Sequence, residues 1–251
     1  MSKETKKWWE EASESYQKEC RIPIRVHYGP AAPFEDQLNL IGSVKGKKLL
    51  EVGCGGAQCG IAFAKQGAKV IGIDISEEQL KFAKKLAEKN KVKIKLIKHD
   101  IQDLKPVSSN SQDIVFSAYA LLYVGDLLKC FKEVNRVLKK DGIFVFSIDH
   151  PVYNILDFKT LKIKKSYLLT GKIQDFQTWR DKTKHKWIAY QRKISDIFNS
   201  LVNSNFFIEK MIEPDSRKKY PGDPWQGLWE YKPKLLKLFP PTIIFKARKL
   251  K

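Results

Sequence analysis

The stretch Leu49-Leu-Glu-Val-Gly-Cys-Gly-Gly56 decides the reading of this chain, because it runs an apolar, strand-length segment straight into a glycine turn. Gly53 and Gly55 carry no Cβ where the backbone must turn tightly and approach a ligand. A helix beginning near Ala57 would point its unpaired N–H groups into the same space. A nucleotide-like guest suits such a turn, although Gly-x-Gly alone is a common motif. Three neighbours narrow the choice. A dinucleotide fingerprint needs a third glycine where this chain has Gln58, so NAD and FAD become the lesser reading. Glu51 ends an otherwise apolar strand, where an ionised carboxylate costs on the order of several kcal/mol unless it is paired. It should face a cation or a donor-rich ligand, or pair with a lysine inside the fold. The second strand, Lys69-Val-Ile-Gly-Ile-Asp74, ends in an acid about 20 residues after the glycines, the spacing at which a βαβ unit sets a carboxylate on ribose hydroxyls.

Glu51-Val-Gly-Cys-Gly55, Gly72-Ile-Asp-Ile-Ser76, His99-Asp-Ile101 and Asp113-Ile-Val-Phe-Ser117 follow one another in an order and spacing that resembles the class I, Rossmann-like S-adenosylmethionine-dependent methyltransferases. Gly53-Cys-Gly-Gly-Ala-Gln-Cys59 with Ala64-Lys-Gln-Gly-Ala68 is especially similar to a group of small bacterial and archaeal methyltransferases. The resemblance is strong over residues 45–150 and weaker on the flanks. It implies an α/β fold, a doubly wound, seven-stranded, mostly parallel sheet with helices on both faces. S-adenosylmethionine is the implied cofactor. In the implied roles, Gly53 and Gly55 lie against its amino-acid and ribose portion, Asp74 on the ribose hydroxyls and Asp100 near the adenine amino group. Ile75 and Ile101 sandwich the adenine ring, and Ser117 lines the pocket with its backbone. His27 and Tyr28 resemble the loop that meets the methionine end, and a surface turn explains them equally well.

The pattern along the chain agrees with that fold. Strands are predicted over 47–52, 69–74, 93–99, 113–117, 143–148, 206–213 and 242–249, the last two antiparallel. Helices are predicted over 5–20, 35–41, 57–66, 77–89, 127–139 and 187–203. Ser76 with Gln79 reads as a capping box, and Asp141-Gly142 as a helix stop. Trp9, Ala12, Tyr16 and Cys20 share one face of the first helix. These elements divide the chain into an N-terminal helical cover of the cofactor site (1–44), the cofactor-binding core (45–150), a lid insertion (151–186) and a C-terminal completion of the domain (187–251). A loop over 214–241 holds prolines at 214, 221, 224, 233, 240 and 241, and so long a loop is usually functional.

The chain has 251 residues, enough for one enlarged domain with one good core. No run of about 18 apolar residues occurs, and Met1-Ser-Lys-Glu-Thr-Lys-Lys7 lacks the apolar centre of a signal peptide. A soluble, cytoplasmic protein without membrane contact is expected, as monomer or homodimer. Cys20, Cys54, Cys59 and Cys130 show no paired spacing, so neither disulfides nor a metal site is expected. The net charge is +19, but residues 151–251 hold 22 basic against 9 acidic side chains and residues 1–150 hold 25 against 19. Only 7 of the 47 basic residues are arginine, the residue whose fork suits phosphate. A solvated lysine-rich surface and an acidic or RNA partner both remain open.

Methyl transfer would be an in-line displacement in a dry, well-oriented site, acting on a small-molecule acceptor. Were the acceptor a hydroxyl, His150 after the fifth strand is the candidate base, against the alternative of a histidine packed at a strand end beside Pro151. Tyr119, Tyr123, Tyr153, Trp225 and Trp229 could wall an acceptor pocket, or simply fill the core beneath long loops. Three rivals differ in class. An RNA methyltransferase would use the basic C-terminal half, yet Ser117-Ala-Tyr-Ala120 is not the Asn/Asp-Pro-Pro-Tyr/Phe of amino-directed base methylases. A NAD-dependent oxidoreductase is opposed by Gln58 and Glu51. A noncatalytic cofactor-binding protein would keep every binding motif.

Overall fold

The computed structural model describes residues 2–179, 182–226, 228, 231 and 233–250. The first strand, β1 (Lys48–Val52), is buried on both faces after its first residue, as an apolar run in a parallel sheet must be. It leads through the glycine turn to α3 (Gln58–Lys65), and β2 (Lys69–Asp74) leads to α4 (Glu77–Lys89). Ser76 Oγ accepts from the Gln79 N–H and so starts α4, with Glu77 and Glu78 in its first turn. β3 (Lys95–Lys98), β4 (Gln112–Ala118), α5 (Leu127–Val137) and β5 (Leu138–Asp149) complete the parallel part. Apolar Leu127, Cys130, Phe131, Val134 and Val137 put α5 onto the sheet at helical spacing.

The sheet has seven strands in the order β3-β2-β1-β4-β5-β9-β8, with β8 (Phe206–Ile212) and β9 (Thr242–Lys249) closing it. β9 pairs antiparallel with both β5 and β8, so β8 points the same way as β1 to β5. Chain order reverses between β1 and β4, and a doubly wound sheet opens its ligand crevice beyond the strand ends at that point. Gly53 follows β1 there, and Tyr119 and Ala120 follow β4. Separate apolar cores fill the two faces, one around Phe131, Phe144 and Phe146, the other around Phe63, Phe116 and Val145.

Two predicted boundaries move. The helix expected over 187–203 begins only at Ile194, as α6 (Ile194–Val202), because residues 184–191 form a strand instead. β6 (Gly171–Thr178) and β7 (Lys184–Gln191) make an antiparallel hairpin outside the main sheet, so the inserted segment runs past residue 186. Lys184 and Lys186 alternate with the less exposed His185 and Trp187, a period of two that the aromatic and aliphatic run behind them disguises. The second change is at Asp141-Gly142. α5 ends earlier, at Val137, and Asp141 sits at φ 61 in an irregular start to β5, its carbonyl accepting from Arg248.

α1 (Lys3–Cys20) starts at Ser2, whose hydroxyl accepts from the Thr5 N–H. The hairpin rests on this helix through Lys172 with Glu4 (2.5 Å) and His185 with Glu11 (3.4 Å). A short helix, α2 (Glu35–Leu38), precedes β1, and another, α7 (Pro233–Leu236), precedes β9. All four cysteines are buried thiols. Among the described residues no helix is long and apolar enough to cross a membrane.

Candidate active site

The glycine turn rests on two left-handed glycines, of which Gly53 also has no room for a side chain. Gly53 sits at φ 68, donating its N–H to Ile73 O (2.8 Å), and a Cβ there would lie 2.3 Å from the Ala120 methyl. Gly55 sits at φ 51 and donates to Asp74 Oδ2 (2.8 Å). Ala57, also left-handed at φ 56, then turns the chain into α3, whose first N–H groups face the turn.

Two carboxylates stand behind the turn with different support. Asp74 Oδ1 accepts from the Ser76 N–H (2.9 Å) while Oδ2 takes Gly55, so the strand-end acid braces the turn it follows. Burial raises its pKa to about 6 against the pull of those amides. Glu51 is 3% exposed, and its Oε2 has no hydrogen-bond partner among the described residues. Burial pushes its carboxyl up to about 8, with the Gly60 amide opposing and the Asp74 charge adding. A Cβ on Gly60 would come within 2.5 Å of Glu51 Oε2, so this glycine is what lets the carboxylate lie across α3.

The sequence predicts α1 as a cover of this site, but not the polar contacts that Gln17 and Glu10 make from it. Gln17 receives Gln58 Nε2 on its Oε1 and donates Nε2 to Gln79 Oε1, both at 2.8 Å, tying α3, α1 and α4 together over the turn. Gln58 thus occupies the third-glycine position as a tether, and Gln79 spends its side chain on Gln17 rather than closing the capping box. Glu10 accepts from the Glu77 and Glu78 N–H groups (3.0 and 3.1 Å), adding an acid to the α4 N-terminus. No local pattern announces these pairings, since each joins residues far apart in the chain.

A cleft of about 680 Å³ opens at the turn and is lined by Glu51, Gly53, Gly55, Asp74, Ile75 and His27, among others. His27 is 8% exposed, lies against Trp225 at 4.9 Å, and is held neutral because burial lowers its pKa to about 4. The remaining expected residues lie elsewhere. Tyr28 is buried outside the cleft lining and donates its hydroxyl to Glu35 (2.5 Å). Ser117 is likewise buried, its Oγ donating to Val52 O (2.9 Å) as a brace between β4 and β1. Asp100 Oδ1 accepts from the Gln102 N–H (2.9 Å), the turn-capping role, and Ile101 packs behind Gly53.

A second cavity lies under the hairpin against α1. Tyr119, Tyr123, Tyr153 and Trp225 line it as expected, with Asp149, Asn154 and Lys165 as polar groups; Trp229 falls outside the described residues. His150 does not face either cavity. Its Nδ1 accepts from the Val152 N–H (3.2 Å), which leaves the ring proton on Nε2 for Glu213 (2.8 Å). The carboxylate at the end of β5 that does face the cavity is Asp149, bonded by Asn154 and raised in pKa chiefly by burial.

The donor set fits a cationic, hydroxyl-rich ligand. Three buried polar atoms without a partner among the described residues, Glu51 Oε2, Gln79 Nε2 and His27 Nδ1, belong to residues lining the one cleft. This sheet order, the glycine turn at its switch point and the acid closing β2 define a class I, Rossmann-like S-adenosylmethionine-dependent methyltransferase. A family model described as a methyltransferase domain matches residues 43–201, and the chain belongs to that family. A Haemophilus influenzae protein of uncharacterised activity is 28% identical over 247 residues, 94% of each chain. The ubiquinone biosynthesis O-methyltransferase of Coxiella burnetii is 32% identical over 142 residues, so the match spans 56% of each. A solved S-adenosylmethionine-dependent methyltransferase from Mesorhizobium loti shares the fold, with TM-score 0.65 at 24% identity over 85% of this chain and 96% of that one.

Proposed function

We propose that this enzyme methylates a small molecule held in the cavity beneath the hairpin, with S-adenosylmethionine bound on the glycine turn. The observation that carries the reading is the wall the two cavities share, so that a donor in one and an acceptor in the other would meet directly. S-adenosylmethionine supplies an electrophilic methyl, which an acceptor lone pair takes as the C–S bond breaks toward sulfur. The protein's part is to hold, orient and dry the two partners. Gly53 and Gly55 admit the amino-acid and ribose portion, Glu51 and His27 offer it unpartnered polar atoms, and Asp74 meets the ribose hydroxyls. Ile75 lies at the adenine side. Trp8, Trp9 and Tyr16 on α1 and the hairpin residues Ile173 and Trp187 wall off water from the acceptor.

Calorimetric titration with S-adenosylmethionine, S-adenosylhomocysteine and NAD tests the cofactor seat. Both sulfur compounds should bind and NAD should not; NAD binding alone would overturn the reading. In the same titration Asp74→Ala should weaken the sulfur compounds by about 1.5–3 kcal/mol, the worth of hydrogen bonds to a charged group. Unchanged affinity in a folded variant removes Asp74 from the ribose.

Where the acceptor atom carries a proton, Asp149 is the group that takes it, since its carboxylate faces the cavity and burial makes it more basic. Asp149→Asn should lower kcat by roughly 10²- to 10⁴-fold, the range for a positioned base. S-adenosylmethionine affinity should stay the same. Turnover would be followed on an acceptor returned by screening hydroxylated and aromatic metabolites. Full turnover in the variant assigns the proton to solvent instead.

A further inference from the structure

The residues common to the two cavities are Trp9, Tyr16, Tyr119, Tyr123 and Trp225, all aromatic. They come from three separate segments: α1, the loop after β4 and the long C-terminal loop. On the reading above, the reacting methyl must cross from one cavity to the other, which puts the sulfur that carries it at this shared wall. The four carboxylates nearby stay off it. Glu51 and Asp74 line only the glycine-turn cleft, and Asp149 and Asp175 line only the acceptor cavity. A positive charge at the junction therefore meets aromatic rings rather than anions.

The rings are arranged for that task. Tyr16 stands at 88° to Trp9 with centroids 5.1 Å apart, and Tyr123 at 80° with centroids 5.4 Å apart, so Trp9 forms the back of a corner with a ring on either side. Rings packed edge to face turn their π-systems in different directions, and the atoms of all three that are left open line both cavities, where a cation at the junction would lie against them.

We infer that this five-ring wall is a charge-reading seat for the sulfonium, so that the protein distinguishes the charged donor from its neutral thioether product. The inference rests on the cofactor reading above. Methyl transfer moves the C–S bonding pair onto sulfur and cancels its charge, and the attraction to the rings ends with it. The same wall that holds the donor thereby loosens its grip on the product. Cation–π contacts, from exposed to desolvated, correspond to roughly 3- to 30-fold in affinity.

Calorimetry separates the two claims. On the wild-type protein and on Trp9→Leu, Trp9→Phe and Tyr123→Leu, dissociation constants are measured for S-adenosylmethionine, for S-adenosylhomocysteine and for sinefungin, which carries a protonated amine in place of the sulfonium. Trp9→Leu and Tyr123→Leu should each weaken S-adenosylmethionine and sinefungin about 3- to 30-fold more than S-adenosylhomocysteine. Trp9→Phe, which keeps a π-face, should recover most of the difference. Equal weakening of all three compounds overturns the inference while leaving the cofactor seat in place, as does no weakening at all. Failure of the wild-type protein to bind either sulfur compound instead overturns the cofactor reading. The two leucine variants lie on different segments, so one that fails to fold leaves the other to decide.

Discussion

Gly53→Ala should abolish S-adenosylmethionine binding and destabilise the protein by about 2–5 kcal/mol. Two costs add. A left-handed backbone at φ 68 strains an alanine by about 1–2 kcal/mol. The new methyl would sit 2.3 Å from the Ala120 Cβ, and relieving that overlap costs about 1–3 kcal/mol more and shifts the loop that carries Tyr119 and Tyr123. Gly46→Ala is the control, because Gly46 has φ 76 but no neighbour within 4 Å, so it bears the strain alone. Urea unfolding of the two variants beside the wild type measures the difference. A Gly53→Ala protein no less stable than Gly46→Ala would mean that the β4 loop yields freely, and the turn would lose its claim to be rigid.

The second large effect is a pH dependence with the opposite sign to that of an ordinary acidic group. Glu51 is raised to about 8 from an ordinary 4.5, and Asp74 to about 6 from 3.8, both by burial. A carboxyl with a raised folded pKa binds its proton in the native state where the unfolded chain has already lost it. Between about pH 4.5 and 8 the Glu51 contribution to the stability of the cofactor-free protein therefore falls as pH rises, at about 1.4 kcal/mol per unit while that gap is fully open; buried His27, lowered to about 4, opposes it only below about pH 6.5. Glu51→Gln should remove this decline and raise the stability of the cofactor-free protein at pH 9 by about 3–5 kcal/mol. It should also weaken S-adenosylmethionine, because the cationic end of the ligand would lose its anion. Binding should release close to one proton at pH 7 in the wild type and much less in Glu51→Gln, read by calorimetry in two buffers of different ionisation enthalpy. A wild-type stability that rises from pH 5 to 8 would show that Glu51 is ionised in the fold, and both expectations would fall.

The legible part of this protein is the part written in short-range pattern. An apolar strand, two glycines and an acid closing the next strand fall within one βαβ unit, so their spacing places the glycine turn and sets the carboxylates Glu51 and Asp74 behind it. Alternation of strands and helices likewise predicts the parallel sheet, and the resemblance to methyltransferases implies its seven strands. Tyr28 and Ser117 show where that logic stops. Each lies in the right segment, but which way a side chain points is set by its packing, and here Tyr28 turns to Glu35 and Ser117 to the Val52 carbonyl. His150 and Asp149 are adjacent in sequence and face opposite ways at the end of β5, and the parity decides which one meets the cavity. The β7 strand was hidden for a related reason: a short aromatic and aliphatic run carries no period that separates strand from helix until its hairpin partner is known.

The sequence by itself determined the class of fold, the place of the glycine turn and the acids that stand behind it, because those depend on backbone conformations and spacings inside one contiguous stretch. Only the tertiary structure decided what surrounds them. Gln58 acquired its role from Gln17, the buried Glu51 carboxylate its room from Gly60, and the aromatic wall its five members from three distant segments. Contacts of that kind arise when separate elements dock on the same edge of a sheet. Their partners are chosen by packing in three dimensions, for which the order of residues along the chain carries no local signal.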